Sequence, residues 1–166
     1  MSTGSLRDPE TQPGRGDWGF TLLELMVVLV ISGLMMGAVA LTFNGYVSRT
    51  RAQRAAQVFA QDLALARSTA VRTRQKVVIH FDETNRLYNV QNQDTTFTVV
   101  RRRFGTNADI DLTAIDLNTT GDSLVFSSRG IADLSGAGST LGTATFTSGD
   151  VVFTVSFNSL GASKVE

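Results

Sequence analysis

The chain has 166 residues with 15 bases and 15 acids, so its formal net charge is zero and indicates no class of partner. The length suits one domain of ordinary size, and the absence of cysteine excludes disulfides. The charge is unevenly distributed, because residues 44–76 carry seven bases and one acid, whereas residues 105–166 carry seven acids and two bases. This polarity fits copies aligned head to tail in a polymer and equally fits two solvated faces.

The first predicted element is an apolar helix over residues 20–43. These 24 residues contain no proline and one ionisable group, Glu24. As a helix they would extend about 36 Å, enough to cross a bilayer core of about 30 Å. A carboxylate inside such a helix costs about 2.5–3.5 kcal/mol unless it reaches the headgroups or has another role. We therefore predict a membrane anchor in which Glu24 needs an explanation.

A polar leader, residues 1–19, ends at Gly19 directly before this helix. Cleavage there would create an ammonium group on Phe20, one helical turn from Glu24, and the two could pair within one chain or between neighbours. An ordinary secretory signal, with Arg7 and Arg15 as its basic region, is a rival interpretation. The apolar stretch is longer than the usual 7–15 residues of such a signal, and an acid interrupts it. An uncleaved membrane-anchored binding domain is a third interpretation.

The residues from Gly19 to Leu25, in the order GFTLLEL, resemble the prepilin signal of type IV pilins and type II secretion pseudopilins. The resemblance implies that a prepilin peptidase cleaves after Gly19 and methylates the amine of Phe20. It also implies that Glu24 neutralises the Phe20 amine of an adjacent subunit during assembly. Asp17 and Trp18 depart from the family pattern, which is usually basic just before the glycine.

Membrane orientation is not fixed by charge, because the basic residues on the two flanks of the apolar helix balance. The resemblance places the leader in the cytoplasm and the C-terminal domain in the periplasm, with one span in the inner membrane. Within the span, Gly33 and Gly37 form a G-x-x-x-G pair. The pair would allow close approach of a second helix, or would weaken this helix locally.

The second part of the helix, residues 44–75, is predicted to be amphipathic and to pack on a globular domain. Its apolar positions recur at intervals of three and four: Ala52, Ala56, Phe59, Leu63, Ala66 and Ala70. Arginines, Gln61 and Asp62 flank that stripe and are predicted to form its solvated sides. One helix from about Phe20 to about Arg74 is therefore expected.

Residues 76–166 are predicted to form an antiparallel sheet domain packed against the helix, which makes the fold class α+β and pilin-like. The first hairpin is expected at residues 76–82 and 87–91, around a turn at residues 83–86. Further strands are expected at 97–104, 110–117, 123–127, 143–147 and 151–157, with a mobile loop at 130–142.

This second half resembles the GspH/FimT family. The resemblance is carried by a strand that leads into Ser128-Arg129-Gly130 and by a last strand that leads into the turn at residues 158–161. It implies a minor pseudopilin near the tip of a short filament, whose partners are other pseudopilins or pilins. The function predicted first is therefore a subunit of the type II secretion pseudopilus. The alternative is a FimT-like minor pilin that serves pilus assembly, motility or DNA uptake.

The sequence contains no recognisable catalytic, metal-binding or cofactor-binding set, and an enzyme is not expected. His80 is the one histidine and is predicted to be structural. Asp109, Asp111 and Asp116 form the best group for calcium, but they lack the spacing of a calcium loop and are interpreted as loop residues.

DNA binding is a less favoured alternative. Arg101, Arg102 and Arg103 make a compact basic group that could meet phosphates. Because consecutive strand residues point to opposite faces, the three cannot all meet one backbone if they lie within a strand. The tail from Gly161 to Glu166 also lacks the arginines of DNA-binding FimT-like pilins.

Overall fold

A computed structural model describes residues 20–93, 97–119, 121–135 and 137–166, apart from the side chains at positions 40–42 and 44. The predicted leader, including Gly19, lies outside these residues. The chain divides into two compact units, Met1–Ala40 and Leu41–Glu166. One helix, α1 (Leu22–Thr73), contributes residues to both. It begins and ends within two residues of the predicted bounds, and Arg74 leaves it in a left-handed conformation with φ 55°.

In the first unit the helix is apolar, and none of the segment Leu22–Val39 is buried against other described residues. The segment has a mean hydropathy of 2.4. By length and composition it is able to cross a membrane.

The second unit combines the rest of α1 with nine strands in two antiparallel sheets. The five-stranded sheet has the order β3-β2-β1-β5-β6, and the four-stranded sheet has the order β4-β7-β8-β9. Their bounds are β1 (Val77–Asp82), β2 (Leu87–Asn92), β3 (Thr98–Arg103), β4 (Ala114–Leu117), β5 (Ser123–Phe126), β6 (Ala132–Asp133), β7 (Leu141–Ser148), β8 (Val151–Asn158) and β9 (Ser163–Val165). The predicted α+β class, with antiparallel strands against a long helix, is confirmed.

The core forms where the helix meets both sheets. All six residues of the predicted apolar stripe are fully buried. Phe59 stands at the centre, because its ring lies 5.4 Å from that of Phe81 and 5.5 Å from that of Tyr88 in one sheet. It lies 5.5 Å from the ring of Phe146 in the other sheet. A single helical residue thus joins the two sheets, and burial of a side chain of this size stabilises the unit by about 1.5–3 kcal/mol.

The first hairpin follows its predicted course. The carboxylate of Asp82 accepts hydrogen bonds from the backbone N–H and the side-chain amide of Asn85, at 2.9 and 2.8 Å. Arg86 closes the turn with φ 51°. The two turns around Gly130 and Gly161 are also present, each closed by a backbone hydrogen bond back to Ser127 or Asn158 and each with its glycine at positive φ.

Two predictions about the strands are wrong, and one strand was not predicted. The strand expected at 110–117 begins at Ala114. Leu112 lies in the core and Ile110 packs against it, but both belong to a loop rather than to a paired strand. The loop expected at 130–142 contains β6, which pairs with β5, and ends where β7 begins. The last strand, β9, was not expected, because its three residues have no apolar run and it is held by pairing with β8.

Candidate functional site: the exposed helix and the anchored sheet domain

The start of the apolar helix is capped by Thr21. Its hydroxyl accepts a hydrogen bond from the backbone N–H of Glu24 at 3.2 Å. Thr21 and Glu24 therefore occupy the two positions of a capping box, in which the acid at the third helical position belongs to the helix start. The sequence carries the signal for this cap, T-x-x-E before an apolar run, although no cap was predicted there.

Phe20 and Glu24 lie together at this end. They line one shallow cavity with Leu25 and Val28, and the Phe20 side chain is 79% exposed. Glu24 is exposed as well, so both groups are accessible to another molecule. The carboxylate near the amino end of a helix is also favoured by the helix dipole. A local role in helix capping and a role toward another subunit are therefore both compatible with this geometry.

The apolar surface that follows is uncovered. Large side chains are exposed on every side of the helix, from Leu22 to Val39. A helix that is apolar all round is stable only when lipid or other protein surrounds it. The exposed apolar surface gives the clearest indication of what the chain does, because it requires lipid or another protein molecule to cover it.

Gly33 and Gly37 lie in open space among the residues that the structure describes. A Cβ atom built on either would meet nothing within 4 Å in the described structure. Both glycines weaken the helix by about 1 kcal/mol relative to alanine. Their four-residue spacing puts them on one face of the helix, as the predicted helix contact requires, and that contact stays a prediction.

In the second unit, Asp62 joins the helix to the five-stranded sheet. Its carboxylate accepts a hydrogen bond from the Tyr88 hydroxyl at 2.7 Å and two from the Arg102 guanidinium at 2.8 and 3.2 Å. Asp62 is 3% exposed, which corrects the prediction that it lies on the solvated side of the helix. The spacing of Asp62 in the sequence could have predicted its burial. Asp62 stands three residues after Phe59 and four before Ala66, so it falls on the buried face of the helix.

This group, which we call the Asp62 anchor (Asp62, Tyr88 and Arg102), contains an ion pair in which the acid is buried and the Arg102 side chain is 45% exposed. Burial and then the nearby charge of Asp62 raise the pKa of Tyr88, so the phenol remains protonated and donates. The hydrogen bond to Asp62 raises the pKa of Arg102. The anchor therefore combines one ion pair with one neutral hydrogen-bond donor.

The three consecutive arginines line one open cavity of about 470 Å³ together with Arg54, but they make different contacts. They lie on β3, where Arg101 pairs with Asn89 and Arg103 pairs with Leu87 in the register of β2, while Arg102 opposes Tyr88 and turns toward Asp62. Arg101 and Arg103 are exposed. Because Arg102 is paired with Asp62, two of the three guanidinium groups remain for an anionic partner.

The other candidates form no metal site. In the part of the chain that the structure describes, no group of three metal-ligating side chains comes together. Asp116 instead shares a hydrogen bond with Glu83, which is the main cause of the raised pKa of Glu83. His80 is exposed on β1 and does not fill the core.

Comparison with known proteins places these features in context. The family described as "Type II transport protein GspH" matches residues 55–161, and the "Prokaryotic N-terminal methylation motif" matches residues 19–40. The competence protein ComGD of Bacillus subtilis is 30% identical over 112 residues, which cover 68% of this chain and 71% of ComGD.

Two solved structures share the fold. The type IV minor pilin FimU of Pseudomonas aeruginosa superposes with a TM-score of 0.55 at 18% identity, covering 73% of this chain and 92% of FimU. The minor pseudopilin EpsH of the Vibrio cholerae type II secretion system superposes with a TM-score of 0.50 at 15% identity, covering 70% of this chain and 94% of EpsH. At these identities the likeness concerns the fold alone, and it is the pilin-like fold expected from the sequence.

Proposed function

The chain belongs to the GspH family of type II transport proteins, and from that premise we propose that it is a minor pseudopilin of a type II secretion pseudopilus. In this role it supports protein export across the outer membrane as a structural subunit, without catalysis. The observation that carries the proposal is the uncovered apolar helix from Leu22 to Val39, joined in one chain to a GspH-type sheet domain.

The exposed helix has two successive environments in this proposal. Before assembly it spans the inner membrane once, with the sheet domain in the periplasm. During assembly it leaves the bilayer and enters the core of a filament, where the helices of neighbouring subunits replace lipid. Both environments are apolar, so the helix keeps its surface covered throughout.

Processing prepares the helix terminus. The methylation motif at residues 19–40 supports cleavage by a prepilin peptidase between Gly19 and Phe20, with N-methylation of the new amine. Glu24 then lies one turn from the Phe20 amine of its own chain and accessible to that of a neighbour. In an apolar filament core an unpaired charge is costly, so pairing of Glu24 with a neighbouring amine selects a docked subunit over a misplaced one.

The decisive experiment separates this pairing from the helix cap. Glutamine is tolerated at the same position of a capping box, so Glu24→Gln retains the cap but removes the charge. We expect the variant to be cleaved and inserted normally and to be missing from filaments sheared from cells. Glu24→Asp, which keeps the charge, is the matched control and should be incorporated. Normal incorporation of Glu24→Gln would show that the charge has no role in assembly.

A second candidate function is a FimT-like minor pilin of a type IV pilus system, in pilus assembly, motility or DNA uptake. The likeness to a competence protein favours it. Deletion of the gene distinguishes the two candidates, because the first predicts loss of enzyme export and the second predicts loss of pilus-dependent behaviour.

DNA contact within that second candidate has its own test. Arg101 and Arg103 share an exposed face with no carboxylate between them on β3. If they contact phosphates, DNA retention by the unit Leu41–Glu166 should fall steeply with salt, and Arg101→Gln with Arg103→Gln should reduce it. Absence of retention at low salt would exclude this role.

A further inference from the structure

A cavity of about 260 Å³ opens beside the start of the helical segment in the second unit. The helix contributes Phe43, Tyr46, Arg51 and Arg54 to its wall, and the loop before β4 contributes Asp109 and Ile110. The helical residues are spaced by three, five and three positions and so lie along one side of α1. We call this feature the Asp109 cavity.

The charges that line the Asp109 cavity are not paired with one another. The described residues form two ion pairs, Arg102 with Asp62 and Lys164 with Glu166, and neither involves Arg51, Arg54 or Asp109. The hydroxyl of Thr50, which also lines the cavity, already donates to the Tyr46 carbonyl oxygen at 2.9 Å. Two cations and one anion therefore remain unpaired around a space that a small molecule is able to enter.

The apolar part of the wall indicates where that molecule comes from. Phe43 is 63% exposed and Tyr46 is 69% exposed, and Phe43 follows the end of the apolar segment at Val39 by four positions along the chain. A tyrosine just outside a span is typical of the level of the lipid headgroups, and a nearby arginine extends its charged group toward the same level. The cavity is smaller than the roughly 300–1,000 Å³ of pockets for drug-sized ligands, which suits a headgroup rather than a whole lipid.

From these observations we infer that the Asp109 cavity binds the headgroup of a phospholipid with a phosphate and a primary ammonium, as in phosphatidylethanolamine. Arg51 and Arg54 bind the phosphate, Asp109 accepts a hydrogen bond from the ammonium, and Phe43 and Ile110 contact the glycerol and the first acyl carbons. A phosphatidylglycerol headgroup leaves Asp109 without a cation, and phosphatidylcholine has a cation that donates no hydrogen bond. The site would hold the sheet domain against the bilayer until the subunit is extracted, so the inference rests on the membrane stage of the proposed function.

The test uses the full chain in mild detergent, mixed with equal amounts of phosphatidylethanolamine, phosphatidylcholine and phosphatidylglycerol. Native mass spectrometry measures which lipid is retained. We expect the ethanolamine lipid to be retained preferentially and Asp109→Asn to reduce that preference by about fivefold, equivalent to ~1 kcal/mol at the upper end for an exposed ion pair. Arg51→Gln with Arg54→Gln should lower the retention of all three lipids.

Matched controls come from neighbouring residues outside the cavity. Asp111→Asn and Arg49→Gln remove the same charges nearby and should leave the lipid preference unchanged. Equal retention of the three lipids by the unmodified chain would overturn the inference, as would a control variant that acts as strongly as Asp109→Asn. Displacement of the lipid by an equal concentration of soluble glycerophosphoethanolamine would also overturn it, because the ligand would then be a free zwitterion.

Cell fractionation separates this inference from the proposed function. A chain recovered outside the carbonate-resistant membrane fraction would contradict the membrane stage of the pseudopilin proposal. A chain recovered in that fraction without any headgroup preference would contradict only the lipid site, and would leave the same surface for a neighbouring subunit.

Discussion

The Asp62 anchor is the one place in the described core where a charge enters an otherwise apolar contact between helix and sheet. Its three members come from α1, β2 and β3, so they fix the helix against two adjacent strands with directional bonds. Apolar packing around Phe59 is less directional and tolerates small shifts. The anchor therefore adds directional bonds between the helix and the sheet to the apolar packing around Phe59.

Asp62→Ala should reduce the free energy of unfolding by about 2–4 kcal/mol, since it leaves the buried Tyr88 hydroxyl and the Arg102 guanidinium without their acceptor. Tyr88→Phe removes one hydrogen bond and should cost about 1–2 kcal/mol. Urea unfolding of the unit Leu41–Glu166 measures both. Asp111→Ala, at an exposed loop position, is the control and should stay within about 0.5 kcal/mol of the parent. An Asp62→Ala variant as stable as this control would rule out a stabilising role for the anchor.

Glu83 and Asp116 form a contact between two acids, which we expect to destabilise the fold at neutral pH, whereas the Asp62 anchor stabilises it. The hydrogen bond to Asp116, followed by burial and by the charges of Asp116 and Asp122, raises the pKa of Glu83. A carboxyl whose folded pKa is raised stabilises the fold below its unfolded pKa, and that contribution is lost as the pH rises through the folded value. At neutral pH Glu83 is therefore a source of repulsion.

Glu83→Gln should accordingly raise the melting temperature at pH 7, and the difference from the parent should disappear below about pH 4, near the unfolded pKa of glutamate. Thermal unfolding followed across this pH range measures the effect. Asp82→Asn is the control of opposite sign, because hydrogen bonds from Asn85 lower the pKa of Asp82 and stabilise the fold above its unfolded pKa. A lower melting temperature for Glu83→Gln at pH 7 would contradict the repulsion.

At the scale of elements, periodicity predicted the helix and most strands, because each buries one face and the spacing of apolar residues records which face. Periodicity failed where the burial of side chains and the pairing of the backbone into strands do not coincide. Leu112 and Ile110 alternate like strand residues but fill the core from a loop, and β9 is defined by pairing with β8 rather than by its own composition. The buried position of Asp62 could be predicted from its spacing, but its partners on β2 and β3 depend on tertiary contacts that no local pattern contains.

The turn before β6 depends on close packing against the helix. Gly130 has φ 73°, and a Cβ atom there would lie 2.7 Å from the Val71 Cγ2 atom. Gly130→Ala should therefore cost about 2–4 kcal/mol, combining backbone strain with displacement of the helix contact. Gly138 has φ 63° but open space around its Cβ position, so Gly138→Ala isolates the backbone strain, about 1–2 kcal/mol. Urea unfolding compares them, and equal losses would show that the contact with Val71 contributes nothing.

At the scale of the whole molecule, the two units satisfy different requirements. The unit Leu41–Glu166 buries its apolar residues within itself, around Phe59. The apolar helix of the first unit buries none of its large side chains and has one carboxylate at its capped end. The sequence predicted this division, because a helix that is apolar all round must be covered on every side, whereas an amphipathic helix buries only one face. It could not identify the molecules that cover the run, since those contacts lie outside the chain.

Substitution of the two glycines in that run tests whether a neighbouring helix packs against the face that carries them. Because a Cβ atom at Gly33 or Gly37 would meet nothing among the described residues, Gly33→Leu with Gly37→Leu should leave folding and membrane insertion intact. If a neighbouring helix approaches along this face, the added side chains should block that approach and reduce incorporation into sheared filaments by about tenfold or more, equivalent to at least ~1.4 kcal/mol. Gly45→Leu is the control, since Gly45 is equally open but follows the apolar segment. Incorporation of the double variant at the level of this control would mean that helices pack in the filament without using the Gly33–Gly37 face.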